Sequence, residues 1–379
     1  MKTVLYDLFS SQPTETSKFH GGGETIKKIF HTLIKDYIKD IELIVFYDID
    51  KFLDGWLKEI IEYYNIKVYD VKCYADIKRI FFQEKIDIMY SGIPYYYKRK
   101  WIPSDVTFVG TVHGLRSIEL PGEKYAYMYM DGVKSLKERL KYSFHEIYVM
   151  RKKRELNDFL HGLDYIITDS YHSKFSIMYH FPRCVNKSIS VLYPPLKSVN
   201  ENFDIKPLVN GDYILLMGGD RYEKNVYREI CSIESLINRG YLEKYRFVII
   251  GSLSKKIIKK INDLNRYVFM DYVDTDALEN LYKYANVFYY ASLNEGFGLP
   301  PLEAMRYGVT CLVSAVCSLP EVYKNGVYYT NPYDIEEMAM HLLYAVDKPI
   351  NKQIVKTHFF RIVKRQEDDL KMICRLIVQ

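Results

Sequence analysis

Apolar residues along the chain alternate between a strand-like and a helix-like spacing. Short continuous apolar runs predict buried strands, whereas apolar residues every three to four positions, as in 24–38 and 52–63, predict amphipathic helices. The predicted strands are 3–8, 41–46, around Val68, 86–89, 106–112, 165–168, 188–192, 213–217, 245–250, 286–290, 310–313 and 327–329. Strands that alternate with helices predict parallel sheets covered on both faces, and therefore an α/β fold.

One stretch, 197–212, interrupts this alternation. It has no clear periodicity and contains Pro207 and Gly211, so we expect a linker there. The alternation before and after it predicts two domains, 1–200 and 205–350. A final helical segment, 357–379, is expected to pack across the linker onto the first domain.

Composition and charge limit the class of protein. The chain has 379 residues, 53 Lys+Arg against 48 Asp+Glu, and a net charge of +5, which is too weak an excess to indicate nucleic-acid binding. Its six cysteines form no C-x-x-C pair, so neither a zinc site nor a disulfide framework is indicated. The first residues reach Asp7 too early for a signal-peptide core, and no long uncharged apolar window predicts a membrane span. We expect a cytoplasmic protein.

The segment 133–160 carries many lysines and arginines among apolar residues at near-helical spacing. A basic amphipathic helix can lie on an anionic membrane face, which would place the protein at the inner face of the membrane. The alternative is a solvated helix whose apolar side packs on its own sheet. The sequence leaves both interpretations open.

The most informative stretch is 292–308, SLNEGFGLPPLEAMRYG. Gly296 and Gly298 permit positive φ and a close ligand, and the two prolines that follow suit the first turn of a helix. The N–H groups of that helix would point towards the loop and form an anion site. Glu295 lies at the carboxyl end of the predicted strand 286–290, where ligands of open α/β sheets bind.

This stretch resembles the retaining nucleotide-sugar glycosyltransferases of the GT-B fold, glycosyltransferase family 4, also called glycosyl transferases group 1. The resemblance rests on two glutamates eight positions apart, Glu295 and Glu303, within E-G-F-G-L-P-x-L-E-A-M-x-x-G. It extends to 269–285 and to Ser-Leu-Pro-Glu-Val at 318–322. It implies two Rossmann-like parallel-sheet domains that face each other across a cleft, with the acceptor on the N-terminal side and the donor on the C-terminal side.

The resemblance also implies site residues. Glu295 would hold the sugar near its reacting carbon, and His113, after the strand 106–112, would contact the sugar. Arg221 and Lys224, in a glycine-rich turn that suits a diphosphate, would bind the donor's diphosphate together with the helix N-terminus after Pro301. Glu303 would bind the ribose. The remaining donor-binding candidates are Gly22 and Gly23, in the run His20–Glu24, and Gly296, Phe297, Gly298 and Leu299.

The implied reaction is retaining hexosyl transfer from a nucleotide diphosphate sugar to a saccharide, lipid-linked or other hydroxyl, in cell-surface polysaccharide or glycoconjugate synthesis. No metal and no cofactor are expected, because protein cations would serve the diphosphate. The triplet Asp48–Ile49–Asp50 is of the D-x-D type used by metal-dependent transferases of another fold, but three residues carry little specificity. Two alternatives stay open: a GT-B nucleotide-sugar epimerase and an inert nucleotide-sugar binding protein.

Overall fold

The computed structural model describes residues 1–13, 21–197, 199 and 206–379. The chain divides into two compact units. Unit 1 comprises Met1–Leu115, Arg151–Ser198 and Val363–Gln379, and unit 2 comprises Arg116–Met150 and Val199–Ile362. Residues 198 and 200–205 of the expected linker, 197–212, lie outside the described residues.

The helices predicted over 24–38 and 52–63 are present to within three residues at each end. In chain order the described helices are α1 (Gly21–Tyr37), α2 (Gly55–Tyr63), α3 (Ile77–Gln83), α4 (Arg116–Glu119), α5 (Gly132–Ser143), α6 (His145–Gly162), α7 (Tyr171–His180), α8 (Val226–Asn238), α9 (Lys255–Ile258), α10 (Thr275–Tyr284), α11 (Leu299–Arg306), α12 (Leu319–Tyr323), α13 (Ile335–Asp347) and α14 (Lys352–Val378). No helix among them combines the length and the apolarity needed to cross a membrane, within the part of the chain described.

Unit 1 is built on a parallel sheet. Its strands are β1 (Lys2–Asp7), β2 (Ile41–Tyr47), β3 (Lys67–Asp70), β4 (Ile88–Ser91), β5 (Thr107–Val112), β6 (Tyr165–Thr168) and β7 (Ser188–Val191), in the order β3-β2-β1-β4-β5-β6-β7. The apolar side of α1 is buried on this sheet through Ile26, Ile29, Phe30, Leu33 and Ile34, as the periodicity predicts.

Unit 2 is built on a second parallel sheet. Its strands are β8 (Tyr213–Met217), β9 (Arg246–Ile250), β10 (Tyr267–Met270), β11 (Val287–Tyr290), β12 (Thr310–Ser314) and β13 (Tyr328–Thr330), in the order β10-β9-β8-β11-β12-β13. Strand β10 was not predicted, although its sequence, YVFM, is a continuous apolar run. It lies at the sheet edge, and only Tyr267 among its four residues is buried.

In both sheets the strand order reverses direction beside the first strand. The reversal lies between β1 and β4 in unit 1, and between β8 and β11 in unit 2. The loops that leave neighbouring carboxyl ends diverge there and open a crevice in which ligands of doubly wound sheets bind. Both glycine-rich candidate segments of the sequence therefore begin at a reversal.

Two departures from the predicted organisation concern 116–160. Residues 116–150 were predicted within the first domain but belong to unit 2, because the segment packs on its core: Met128 is buried in one cluster with Ile214 and Leu216. The helix predicted over 133–160 is two helices, α5 and α6, separated at Phe144, where φ is −116° and ψ is 32°. Helix α14, predicted over 357–379, has its last turns, from Val363, within unit 1.

Candidate active site

The loop after β8 is shaped around the side chain of Lys224. Gly218 has φ +89°, and a Cβ added to it would lie 2.4 Å from Lys224 Cγ, so only glycine lets the turn close over the lysine. Asn225, at φ +66°, ends the turn before α8. Its side-chain amide donates to the carbonyl oxygens of Ala291 at 3.0 Å and Pro332 at 2.8 Å. These bonds fix the Lys224 loop against the loop that follows β11.

The loop after β11 leads from Glu295 into α11. Gly298 has φ +88°, and a Cβ there would lie 2.5 Å from Leu319 Cδ2. The hydroxyl of Tyr323 donates to the Gly298 carbonyl and accepts from the Leu302 N–H at 3.1 Å. Phe297 is buried. Gly296 and Leu299 are half-buried.

The N-terminus of α11 offers less to an anion than the sequence led us to expect. Of the first four helical residues, Pro300 and Pro301 have no N–H, and the Leu302 N–H is bonded to Tyr323. Of these four residues, Leu299 alone has an N–H that is not bonded to Tyr323. Side-chain cations are therefore the main positive groups at this loop.

Glu295 and Lys224 form a buried ion pair between the two loops. Lys224 Nζ lies 2.6 Å from Glu295 Oε1, which also accepts from Tyr290 Oη at 2.6 Å and Ser292 Oγ at 2.7 Å. Burial alone would raise the pKa of the Glu295 carboxyl, but Lys224 and the other donors outweigh it and lower the pKa to about 2. Burial also lowers the pKa of Lys224, against the opposing effect of Glu295.

A second group of charges lies beside this pair. Glu223 Oε1 accepts from Arg221 Nη2 at 2.6 Å and from Arg116 Nη1 at 2.7 Å. Glu223 is buried, whereas both guanidinium groups are about half exposed. The cations Arg116, Arg221 and Lys224 outnumber the carboxylates Glu223 and Glu295 by one, so this part of unit 2 suits an anionic ligand.

Glu303 lies on α11, eight positions after Glu295. Its Oε2 accepts from Tyr282 Oη at 3.0 Å, and the same hydroxyl contacts Met217 Sδ at the end of β8 at 3.8 Å. Glu303 is thereby held beside the carboxyl end of β8. The structure brings Glu295, Glu303, Arg221 and Lys224 together at the β8–β11 reversal of unit 2.

The predicted residues of unit 1 form a separate group. His113, directly after β5, has Nδ1 2.7 Å from Asp169 Oδ2 and Nε2 2.9 Å from the Gly92 carbonyl oxygen. A carbonyl oxygen only accepts, so Nε2 donates to it. Burial lowers the pKa of His113, but Asp169 raises it by more, so the pKa lies above its ordinary value. With both nitrogens donating, the ring is an imidazolium.

Glycine at the start of α1 lies over this ring. A Cβ on Gly22 would lie 3.3 Å from His113 Nε2 and 3.1 Å from Ile93 Cδ1, which is tight packing. Gly23 is buried in the same first turn. His20, the first residue of that glycine-rich run, lies outside the described residues.

The carboxylates of the D-x-D triplet surround a lysine. Lys72 Nζ lies 2.5 Å from Asp48 Oδ1, 2.6 Å from Asp50 Oδ2 and 3.1 Å from Asp70 Oδ1. Their nearest cation is therefore part of the chain itself. Asp50 does not cap the following helix, because Asp54 holds the N-cap position of α2.

Sequence reasoning missed three polar residues of these groups. Arg116 follows His113 by three positions, and its sequence context does not distinguish it from a surface arginine. Asp169 directly follows the predicted strand 165–168, and an acidic residue in that position is a usable signal. Glu223 was passed over beside Lys224, and its partnership with two arginines depends on the fold.

The comparisons with known sequences each match less than half of the chain. Residues 199–357 match the family model described as glycosyl transferases group 1. The chain is 29% identical over 176 residues to the O-antigen chain mannosyltransferase RfbU of Salmonella typhimurium, which is 45% of this chain and 47% of that protein. It is 35% identical over 161 residues to a serotype-specific mannosyltransferase WbdA of Escherichia coli, 40% of this chain and 19% of that protein. The chain spans less than half the length of each.

Solved structures match nearly the whole chain. Sucrose-phosphate synthase from Thermosynechococcus elongatus superposes with a TM-score of 0.68 at 12% identity and covers 99% of this chain and 98% of its own. HepE of Anabaena, in complex with UDP and glucose, superposes with a TM-score of 0.66 at 14% identity and covers 100% and 99%. At such identity the likeness shows the fold alone.

Proposed function

We propose that the protein transfers a hexosyl group, because residues 199–357 match the family model of the glycosyl transferases group 1 and the chain has the GT-B fold. The donor is a nucleotide diphosphate sugar, the acceptor is a hydroxyl, and the anomeric configuration is retained. In the reaction, the bond between the anomeric carbon and the diphosphate oxygen breaks and a bond to the acceptor oxygen forms. The acceptor's proton is released, and the nucleoside diphosphate departs.

The observation that carries this proposal is the charge arrangement around Lys224. Its ammonium group has three N–H donors, of which Glu295 and Tyr290 take two, so the third is left for a phosphate oxygen. Arg221 and Arg116 extend the positive surface beyond it. Fixed cations lower the energy of a developing diphosphate anion without having to reorganise as the bond breaks.

Glu295 is proposed to act by its charge. With a pKa of about 2 the carboxylate stays ionised at neutral pH and is a poor proton acceptor. Its three bonds all reach Oε1, so Oε2 carries none of them. We assign Oε2 to the sugar, where positive charge develops as the leaving group departs.

The other predicted residues take supporting parts. Glu303, fixed at the end of β8 through Tyr282, is assigned to the ribose hydroxyls. Both ring nitrogens of His113 are bonded to acceptors, which excludes it as a proton acceptor in this arrangement. We propose that His113 contacts the sugar and transfers no proton.

A cleft of about 890 Å³ in unit 2 is proposed to take the acceptor. It is lined by residues 118–124, by Tyr142, His145, Glu146, Val149 and Met150, and by Arg228 and Tyr333. Glu119, in its wall, accepts from Asn294 at 2.7 Å, one residue before Glu295. Carboxylates and an exposed tyrosine ring are groups that bind saccharide hydroxyls and faces. Because both curated relatives are named mannosyltransferases and one is named for the O-antigen chain, we propose a saccharide acceptor in polysaccharide assembly.

The proposal is tested by replacing the cation and by removing metals. Lys224→Ala is expected to lower turnover about a hundredfold or more, because one fixed charge at the leaving diphosphate is lost, whereas a strong chelator should leave wild-type turnover unchanged. Lys244→Ala, which removes an exposed lysine before β9 at the opposite end of the sheet, is the matched control. Loss of wild-type turnover in the presence of the chelator, together with unchanged turnover of Lys224→Ala, would show that a metal binds the diphosphate and would overturn the proposal.

A product analysis separates the alternatives. Turnover of UDP-glucose and GDP-mannose is followed with and without an added saccharide acceptor. A new glycosidic bond of unchanged anomeric configuration supports the proposal. Rearrangement of the donor without transfer would indicate an epimerase, and tight binding without turnover would indicate a binding protein.

A further inference from the structure

Helix α5 leaves its aliphatic residues more than half exposed. Ser135 is the buried residue among its twelve. Val133, Leu136 and Leu140 are between 51% and 70% exposed. Isolated helices of this length are marginal in water, and most helices of folded proteins are stabilised by burying an apolar face. The apolar residues of α5 therefore lack the packing that such a face normally has.

The exposed apolar residues continue into α6. Phe144 and Ile147 fall within the same range of exposure. On α5, Val133, Leu136 and Leu140 follow one another at steps of three and four residues, which places them along one side of that helix. Phe144, at the break, and Ile147, in the first turn of α6, continue this exposed apolar set along the chain. We call these five residues the apolar stripe. A contiguous exposed apolar surface of this kind indicates a binding surface.

Basic residues flank the apolar stripe. Lys134 and Lys137 are exposed next to it. Residues 131–155 contain eight Lys or Arg (134, 137, 139, 141, 151, 152, 153 and 154) and four Asp or Glu (131, 138, 146 and 155), which gives +4, against +5 for the entire chain. Glu155 is paired with Arg151 and Lys152, and Glu138 with Lys141. The segment that carries the apolar stripe is therefore basic overall, and its exposed lysines 134 and 137 lie beside the stripe.

We propose that the apolar stripe lies on the surface of an anionic lipid bilayer, with its side chains at the boundary of headgroups and acyl chains and the flanking lysines at the lipid phosphates. An apolar face bordered by cations is the arrangement that binds such a surface, since apolar burial and attraction to anionic lipid add. A second copy of the chain is a poorer partner, because two stripes in contact would bring two segments of like charge together.

The length and composition of α5 and α6 agree with an interfacial position. Neither α5 nor α6 is long and apolar enough to cross a bilayer, so the contact would be reversible and limited to one leaflet. This inference concerns where the protein works and does not depend on the proposed transfer reaction. A membrane contact would, however, suit an enzyme whose acceptor is carried on a lipid.

The experiment is co-sedimentation of the full chain with phosphatidylcholine vesicles that contain or lack phosphatidylglycerol. We expect binding to the anionic vesicles that weakens as salt is raised. The double variant Phe144→Glu, Ile147→Glu should lower the partition coefficient roughly tenfold or more, because it places two charges in the interface. The control is Phe82→Glu on α3, which changes a side chain 92% exposed and outside the apolar stripe.

Three results would overturn the inference. The first is absence of binding to anionic vesicles by wild type. The second is equal binding by the double variant, which keeps its fold as judged by its melting temperature. The third is a dimer in analytical ultracentrifugation that the double variant abolishes, which would assign the apolar stripe to a second copy of the chain.

Discussion

Glu295 and Lys224 are both almost excluded from solvent, and each is stabilised in its charged form by the other. Removing charges from water costs several kcal/mol per ion, and the attraction within a buried pair does little more than offset that cost. The pair is therefore not explained by a contribution to the stability of the fold. At the scale of single residues, the arrangement instead holds a negative and a positive group at fixed positions on one crevice. That is the condition under which charges can act on a reacting bond without reorganisation.

Replacing Glu295 and Glu303 one at a time should distinguish a residue that contacts the sugar from one that contacts the nucleotide. Glu295→Gln is expected to reduce turnover far more than affinity for the nucleoside diphosphate, because its proposed contacts strengthen in the transition state. Glu303→Gln should instead weaken nucleoside diphosphate binding about tenfold or more, since a charge-assisted hydrogen bond to the ribose is lost. Kinetics and calorimetric titration measure the two effects.

The matched control for both exchanges is Glu243→Gln. Glu243 is an exposed carboxylate before β9, at the other end of the sheet. It should change neither quantity. Equal losses of turnover and affinity in Glu295→Gln would place Glu295 at the nucleotide instead of the sugar.

The His113–Asp169 pair predicts a pH dependence of stability. The folded-state pKa of His113 lies above its value in the unfolded chain, so the pair stabilises fully below about pH 6.5, the ordinary histidine pKa, and this contribution is lost as pH rises through the folded pKa. Asp169→Asn should therefore reduce the free energy of unfolding most at pH 6 and progressively less at higher pH. Denaturant unfolding across this range measures it. A difference that grows with pH would contradict the imidazolium assignment.

Loops and helix starts hold the proposed groups in position at the scale of elements. The loop after β8 carries Lys224, and the loop after β11 joins Glu295 to α11 and Glu303. Asn225 bonds the two loops, and Tyr323 fixes the start of α11. Glycine is required at Gly298 both for its positive φ and because the Leu319 side chain fills the space that a Cβ would need.

Gly298→Ala should therefore destabilise unit 2 and impair activity together. Its control is Gly240→Ala at the end of α8, where φ is +81° but a Cβ would meet nothing within 4 Å. Both variants incur the left-handed backbone cost of roughly 1–2 kcal/mol, and Gly298→Ala should lose about 1–3 kcal/mol more through overpacking. Thermal unfolding and turnover measure the difference. Equal destabilisation would show that the Leu319 contact yields without cost.

Each unit has its own apolar core at the scale of the whole molecule. The residues proposed to bind the nucleotide, Arg221, Lys224 and Glu303, all belong to unit 2. Unit 2 includes residues 116–150, which bring Arg116 to Glu223 and form most of the proposed acceptor cleft.

A nucleoside diphosphate should therefore stabilise unit 2 in particular. At 100 times its dissociation constant it adds about 2.7 kcal/mol. Hydrogen exchange should show the added protection at amides of 218–225 and 295–303. The corresponding reference segment is 48–50, where Lys72 already occupies the carboxylates and no change is expected. Protection at 48–50 without protection at 218–225 would move the nucleotide to unit 1.

The sequence by itself determined most of the elements and the parallel α/β class, because strand runs and helical periodicity are local properties. It also placed Glu295 before and Glu303 after a glycine turn, because glycine permits positive φ and proline suits the first turn of a helix, so both can be recognised from local sequence. Helix α1 buries the side that its spacing predicts. The edge strand β10 was missed, although its four residues form the kind of continuous apolar run that predicted other strands.

Only the tertiary structure decided which distant residues meet. The side chains of Arg116 and Glu223 are 107 positions apart in the chain, and His113 and Asp169 are 56 apart. No local pattern encodes such pairs, because they form when strand order brings separate loops to one end of a sheet. The same holds for residues 116–150, whose assignment to unit 2 follows from the core against which Met128 packs, and for the apolar stripe, whose exposure depends on what the rest of the fold leaves uncovered.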